Sequence, residues 1–113
     1  MATAEMVEFS RLEGKADEVA GVLKSLANSR RLLLLCKLAE LGRASVGDLA
    51  GVVGLSQSAM SQHLALLRDE GVVGFERNGQ SIFYRIADPR VEALMATLYQ
   101  LYCASDNAPS KGI

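Results

Sequence analysis

Apolar residues at Leu12, Ala16, Val19, Val22, Leu23 and Leu26 recur at helical spacing with Glu13, Asp17 and Lys24 between them, predicting a helix over Arg11 to Ala27. Residues 1–10 show no comparable pattern and are expected to be disordered. Asn28 or Ser29 can cap a second helix, Arg30 to Leu41, which Gly42 ends. This helix is apolar nearly all round (Leu32, Leu33, Leu34, Leu35, Cys36, Leu38, Ala39, Leu41) and is expected to be the central buried element. Ser45-Val-Gly-Asp48 has capping-box spacing, with Asp in place of Glu or Gln, and opens a short helix through Val53. After the turn Gly54-Leu55-Ser56, a further helix capped by Ser56 runs to about Glu70 and stops at Gly71. Two helices joined by so short a turn form a helix-turn-helix.

The second of these two helices has faces with opposite demands. Met60, Leu64 and Leu67 ask for a core, while Gln57, Ser58, Ser61 and Gln62 crowd the other side with short uncharged hydrogen-bonding groups. A solvated helix face ordinarily favours Glu, Lys and Arg, which form helix well and carry charge. Amides and hydroxyls at a helix N-terminus suit a DNA major groove, where Gln pairs bidentately with adenine and Ser meets bases or phosphates. Ser56 can cap the helix and also face a phosphate. His63 has two open readings, a phosphate contact or a cover for the core.

Val72 to Arg77 and Gln80 to Ala87 are β-rich runs on either side of Asn78-Gly79, and Asn-Gly is a strong signal for a type I′ hairpin with both residues at positive φ. A hairpin directly after a reading helix is a wing, which makes Arg77, Asn78 and Gln80 candidates for DNA contact. Phe83 and Tyr84 alternate along the strand, so one of them faces the core. Asp88-Pro89 starts a last helix with the stripe Val91, Leu94/Met95, Leu98 and Leu101/Tyr102. The tail, 105–113, is polar and expected to be disordered. The predicted fold is mainly α with a small β-hairpin, a single winged helix-turn-helix over residues 11–104 in the order α-α-α-α-β-β-α. The first and last helices carry apolar stripes that one small domain cannot cover, so a homodimer through them is expected.

The formal net charge of -1 at pH 7 is unevenly spread. Residues 24–90 hold nine basic against six acidic groups, between acidic flanks. That excess permits DNA binding without demonstrating it. The chain has no apolar run of about 18 residues to span a membrane. Its first residues have neither a basic start nor an apolar segment, so a cytoplasmic protein is the expectation.

The segments Leu23-Lys-Ser-Leu-Ala-Asn-Ser-Arg-Arg-Leu, Ser45-Val-Gly-Asp-Leu, Leu55-Ser-Gln-Ser-Ala-Met-Ser-Gln-His-Leu-Ala-Leu-Leu-Arg and Ile82-Phe-Tyr-Arg-Ile resemble the ArsR/SmtB family of bacterial transcriptional repressors. The resemblance covers residues ~15–104 and implies a winged-helix dimer that binds an inverted-repeat operator in double-stranded DNA. Carried over by position, Ser56, Gln57, Ser58, Ser61, Gln62 and His63 fall on the recognition helix, and Arg77, Asn78 and Gln80 on the wing. The metal-ligand patterns of the family are missing. Ser45-Val-Gly stands where a Cys-x-Cys is expected, and the last helix has Asp88 and Glu92 but no His, so no metal site or other cofactor is expected.

Cys36 and Cys103 are placed as in the BigR/SqrR-like persulfide sensors of this family. That resemblance implies that reactive sulfur species or an oxidant link the two thiols through a disulfide or polysulfide and so weaken operator binding. The opposing reading makes Cys36 a small buried hydrophobe in an apolar helix. An ArsR-type regulator without a thiol switch, as in NolR-like and HlyU-like relatives, is the alternative. A thiol enzyme is disfavoured, because only Lys37 stands near either cysteine to activate it.

Overall fold

The computed structural model describes residues 7–104, so the expectations for residues 1–6 and 105–113 lie outside the described residues. The elements in order are α1 (Phe9–Glu13), α2 (Ala16–Leu26), α3 (Ser29–Leu41), β1 (Ala44–Ser45), α4 (Val46–Val53), α5 (Gln57–Asp69), β2 (Val73–Asn78), β3 (Ser81–Ile86) and α6 (Pro89–Tyr102). The fold is the expected winged helix-turn-helix, with three departures in detail.

The first departure is at the N-terminal side. Helix begins at Phe9, two residues before the expected start, and is interrupted at Gly14-Lys15. The Lys15 N–H bonds back to the Leu12 carbonyl at 2.9 Å, a tighter i−3 link that breaks the α-helical ladder. Gly14 weakens the helix there by about 1 kcal/mol relative to alanine, though Gly21 is accommodated within α2 without a break.

The second is a third strand. Ala44–Ser45 pairs antiparallel with β3, giving the sheet order β1-β3-β2 where a two-stranded hairpin was expected. Two residues are too short to leave a period-2 pattern in a sequence.

The third is the hairpin turn. Asn78 pairs with Ser81, so the two-residue loop is Gly79-Gln80 and not Asn78-Gly79. Gly79 has φ +68, and among the described residues none other than glycine has positive φ. The residue with positive φ comes first in the loop, the pattern of a type II′ turn, whereas type I′ needs positive φ at both positions. Moving the turn by one residue leaves Asn78 on the strand and Gln80 in the loop.

The core is built by Leu34, Leu35 and Leu38 of α3, Leu49 of α4, Met60, Leu64 and Leu67 of α5, and Val72 and Val91, all fully buried. α3 is therefore central, but only along one stripe: Leu33, Cys36, Ala39 and Leu41 are exposed. Its expected burial all round is corrected accordingly. Tyr84 packs against the core, on the sheet face it shares with Phe75, Arg77 and Ile82. Phe83 lies on the other face, under the Arg43 guanidinium at 4.5 Å from the ring centre.

Candidate nucleic-acid interface and thiol groove

Local hydrogen bonds hold the helix-turn-helix in place. The Ser45 hydroxyl accepts from the Asp48 N–H at 3.1 Å and starts α4. Gly54, at φ +82, ends it in the left-handed conformation. The Ser56 hydroxyl accepts from the Ala59 N–H at 3.0 Å and starts α5. Met60, Leu64 and Leu67 then point inward, while Ser56, Gln57, Ser58, Ser61 and Gln62 are all exposed. The Gln57 amide lies over Gly47, where an added Cβ would stand 3.4 Å from Nε2. Among the described residues, α5 thus presents its polar face with no side-chain hydrogen bond other than the capping bond of Ser56.

His63 differs from its neighbours. It is half-buried, and its Nδ1 accepts from Arg31 Nε at 3.2 Å. Burial first, and then the charges of Arg31 and Arg30, hold the imidazole below the usual histidine pKa. Of the two readings open from the sequence, the inward one has a partner in the structure.

Arg30 and Arg31 make tertiary contacts behind the helix-turn-helix that the sequence pattern did not foretell. Two cations in the first turn of α3 oppose the helix dipole, which favours anions there. Each instead reaches the carbonyl end of a neighbouring helix, where positive charge is favourable. Arg30 Nη1 donates to the Val53 carbonyl at 2.8 Å, at the end of α4. Arg31 Nη1 donates to the Ser25 carbonyl at 3.3 Å, near the end of α2. A basic pair placed against its own helix dipole was the available signal for a tertiary role.

On the wing, Arg77, Asn78 and Gln80 are exposed. Arg77 shares the core-side face of the sheet, and Asn78 the opposite face with Glu76 and Phe83. Arg43 pairs with Glu76 at 3.1 Å and braces the wing against β1. Arg77 has no ion-pair partner among the described residues.

Both cysteines are free and exposed. Exposure of Cys36 removes the reading of it as a buried small hydrophobe. It lines a groove of about 610 Å³ between α3 and α6, together with Glu40, Glu92, Met95 and Tyr99. Cys103 follows Tyr99 by one helical turn, its N–H donating to the Tyr99 carbonyl at 2.8 Å. Among the described residues, no three His, Cys, Asp or Glu side chains gather as a metal-binding group.

Residues 28–74, from the cap of α3 into β2, match the family model described as "Bacterial regulatory protein, arsR family". The HTH-type transcriptional regulator YgaV of Escherichia coli is 43% identical over 87% of this chain and 99% of its own length. The chain belongs to the ArsR family. Among solved members of the family, the transcriptional repressor BigR of Xylella fastidiosa superposes with a TM-score of 0.80 at 40% identity, over 87% of this chain and 99% of that one. A DNA-binding domain from Mycobacterium bovis, described as homodimeric and as a possible ArsR-family transcriptional regulator, superposes with a TM-score of 0.71 at 33% identity over 93% of each chain. This ArsR-family chain is a transcriptional regulator with a winged helix-turn-helix, and no helix among its described residues is long and apolar enough to cross a membrane.

Proposed function

We propose that this ArsR-family regulator is a homodimeric repressor whose operator binding is released when Cys36 and Cys103 become linked. For the dimer, the support is exposed apolar surface on the outer helices: Phe9 and Leu12 on α1, Val19 and Leu23 on α2, and Tyr99 and Tyr102 on α6. Such a patch marks an interaction surface, and the Mycobacterium bovis relative is described as homodimeric. A two-fold dimer sets its recognition helices one DNA turn apart, roughly 34–36 Å, and reads an inverted repeat. Ser56, Gln57, Ser58, Ser61 and Gln62 meet bases and phosphates from α5, Arg77, Asn78 and Gln80 meet the DNA backbone from the wing, and His63 serves from behind the reading face.

The observation that carries the switch is the exposed Cys36 thiol in a groove whose opposite wall includes Tyr99, one turn before Cys103. The Cys36 thiolate attacks the sulfane sulfur of a low-molecular-weight persulfide, forms a protein persulfide and releases the corresponding thiol. The Cys103 thiolate then attacks the sulfur attached to Cys36, forming a disulfide and expelling hydrosulfide. If Cys103 also carries a persulfide, the same displacement leaves a trisulfide. Either link ties α3 to the end of α6 and changes the spacing of the reading helices in the dimer. A coupling of about 1–3 kcal/mol gives a roughly 5–150-fold loss of affinity.

Intact-mass measurement after persulfide or peroxide treatment, paired with gel shifts on the protein's own promoter DNA, tests this. The wild type should lose two hydrogens, or lose two and gain one sulfur, and release DNA. Cys36→Ser and Cys103→Ser should stay bound. Release from DNA by both variants would place the switch elsewhere, and no release by the wild type would leave a regulator without a thiol switch.

A further inference from the structure

Ser25 is the one buried polar residue among the described residues, and two links to α5 converge on it, one through Arg31 of α3 and one direct. Its carbonyl accepts from Arg31 Nη1 at 3.3 Å, and Arg31 Nε donates to His63 Nδ1 at 3.2 Å. Its hydroxyl is within reach of two acceptors, the Glu70 carboxylate just past the end of α5 and the Gly21 carbonyl at 3.1 Å, and its single proton directed to the carboxylate ties α2 to α5. His63 and Glu70 are seven residues apart, two helical turns, and so lie on the same side of α5 about 10 Å from each other. One attachment would set only the distance between α2 and α5. Two attachments along one side also set the tilt and rotation of α5.

We infer that Arg31 is a positioning residue for DNA reading, a strut that fixes the rotation of α5 against the end of α2. This rests on the proposed reading of DNA by α5. Arg31 is suited to the task because its fork donates in two directions at once, through Nε and Nη1. The start of α3 is itself fixed, since the Asn28 side chain accepts from the backbone N–H of Arg30 and of Arg31 at 2.9 and 3.1 Å. The strut therefore stands on a capped helix end. A rotation of α5 by ~20° moves a side-chain tip at ~5–6 Å radius by ~2 Å. A bidentate Gln–adenine pair does not survive that displacement. A phosphate contact tolerates more, because it depends on charge. Loss of the strut should thus lower sequence discrimination and leave general DNA affinity in place. Since α2 also carries Val19 and Leu23 of the proposed dimer face, the strut orients α5 relative to one element of that face.

The test uses the full-length protein and a duplex selected by the wild type from a random-sequence pool, compared with a scrambled duplex over a salt series. Arg31→Lys keeps the charge but not the fork. His63→Leu removes the acceptor, and His63→Asn keeps an acceptor near the Nδ1 position. Arg31→Lys and His63→Leu should each weaken the selected duplex about tenfold and the scrambled duplex less than about twofold, with an unchanged salt slope. His63→Asn should recover most of the loss, and the Arg31→Lys/His63→Leu double variant should be no worse than either single one. Equal losses on both duplexes, multiplied effects in the double variant, a His63→Asn protein as impaired as His63→Leu, or single variants that read like the wild type would each overturn the strut. If Arg31→Lys does not fold, the His63 pair still decides. A wild type that selects no sequence would refute DNA reading itself, a failure distinct from that of the strut.

Discussion

Arg30 and Val53, 23 positions apart, are joined by a 2.8 Å hydrogen bond from a guanidinium Nη1 to the last carbonyl of α4. A second, longer contact from the same nitrogen reaches the Gly54 carbonyl at 3.5 Å. The turn of the helix-turn-helix is thereby closed from behind by α3, at the carbonyl end of a helix where a cation is favoured. Arg30→Ala should cost about 1.5–3 kcal/mol, the range for hydrogen bonds to a charged group. Urea denaturation should show a lower midpoint with an unchanged slope, since the compactness of neither state changes. A loss below about 0.5 kcal/mol would mean the clamp is not formed in solution.

Ser56 separates stability from DNA contact. Its hydroxyl caps α5, so Ser56→Ala should cost about 1 kcal/mol in thermal or chemical unfolding. Ser56→Asp keeps a capping oxygen and adds a charge that the helix N-terminus favours, so stability should hold. DNA affinity of Ser56→Asp should nevertheless fall, because a carboxylate would then face the phosphates. A Ser56→Asp protein binding DNA as the wild type does would move the helix N-terminus away from the backbone.

The wing turn makes a prediction opposite in emphasis to the Asn-Gly reading. Gly79→Ala should destabilise by about 1–3 kcal/mol, because alanine is strained at the positive φ that Gly79 adopts. Asn78→Ala should change stability by less than about 0.5 kcal/mol, since Asn78 sits on the strand with negative φ. Equilibrium unfolding of the two variants side by side reads this out. A larger cost at Asn78 than at Gly79 would return the turn to type I′.

The single histidine sets a pH dependence. Burial and the charges of Arg31 and Arg30 lower its pKa in the folded state below the ordinary 6.5, so the unfolded chain binds the proton more readily. The contribution to stability is therefore fully present above pH 6.5 and is lost as pH falls through the lowered folded value. Protonation also fills Nδ1, the atom that accepts from Arg31. Denaturation midpoints should fall on acidification in the wild type, and that component should be absent in His63→Asn. Identical pH profiles for the two proteins would show that His63 does not titrate in linkage with folding.

Much of this arrangement was legible in the chain. The helical stripes, the caps at Asn28, Ser45, Ser56 and Asp88, and the stops at Gly42 and Gly54 are local signals, decided within four or five residues. The two faces of α5 were legible for the same reason: burial of Met60, Leu64 and Leu67 leaves Gln57, Ser58, Ser61 and Gln62 outside. Where the pattern misled, it lacked information from another element. Apolar character alone made α3 buried on all sides, yet Leu33 and Leu41 are exposed because α3 meets its neighbours along one stripe. Cys36 lies off that stripe, and so its thiol is accessible.

The sequence by itself therefore determined the elements, their order and the polar reading face, because helix periodicity, capping and glycine conformations are properties of neighbouring residues. Only the tertiary structure decided which partners meet across the chain. It paired β1 with β3, moved the wing turn onto Gly79-Gln80, and turned Arg30 and Arg31 away from their own helix toward the carbonyl ends of α4 and α2. It also gave His63 to Arg31. Each of these depends on the distance between atoms many residues apart, which packing sets and a one-dimensional pattern does not contain.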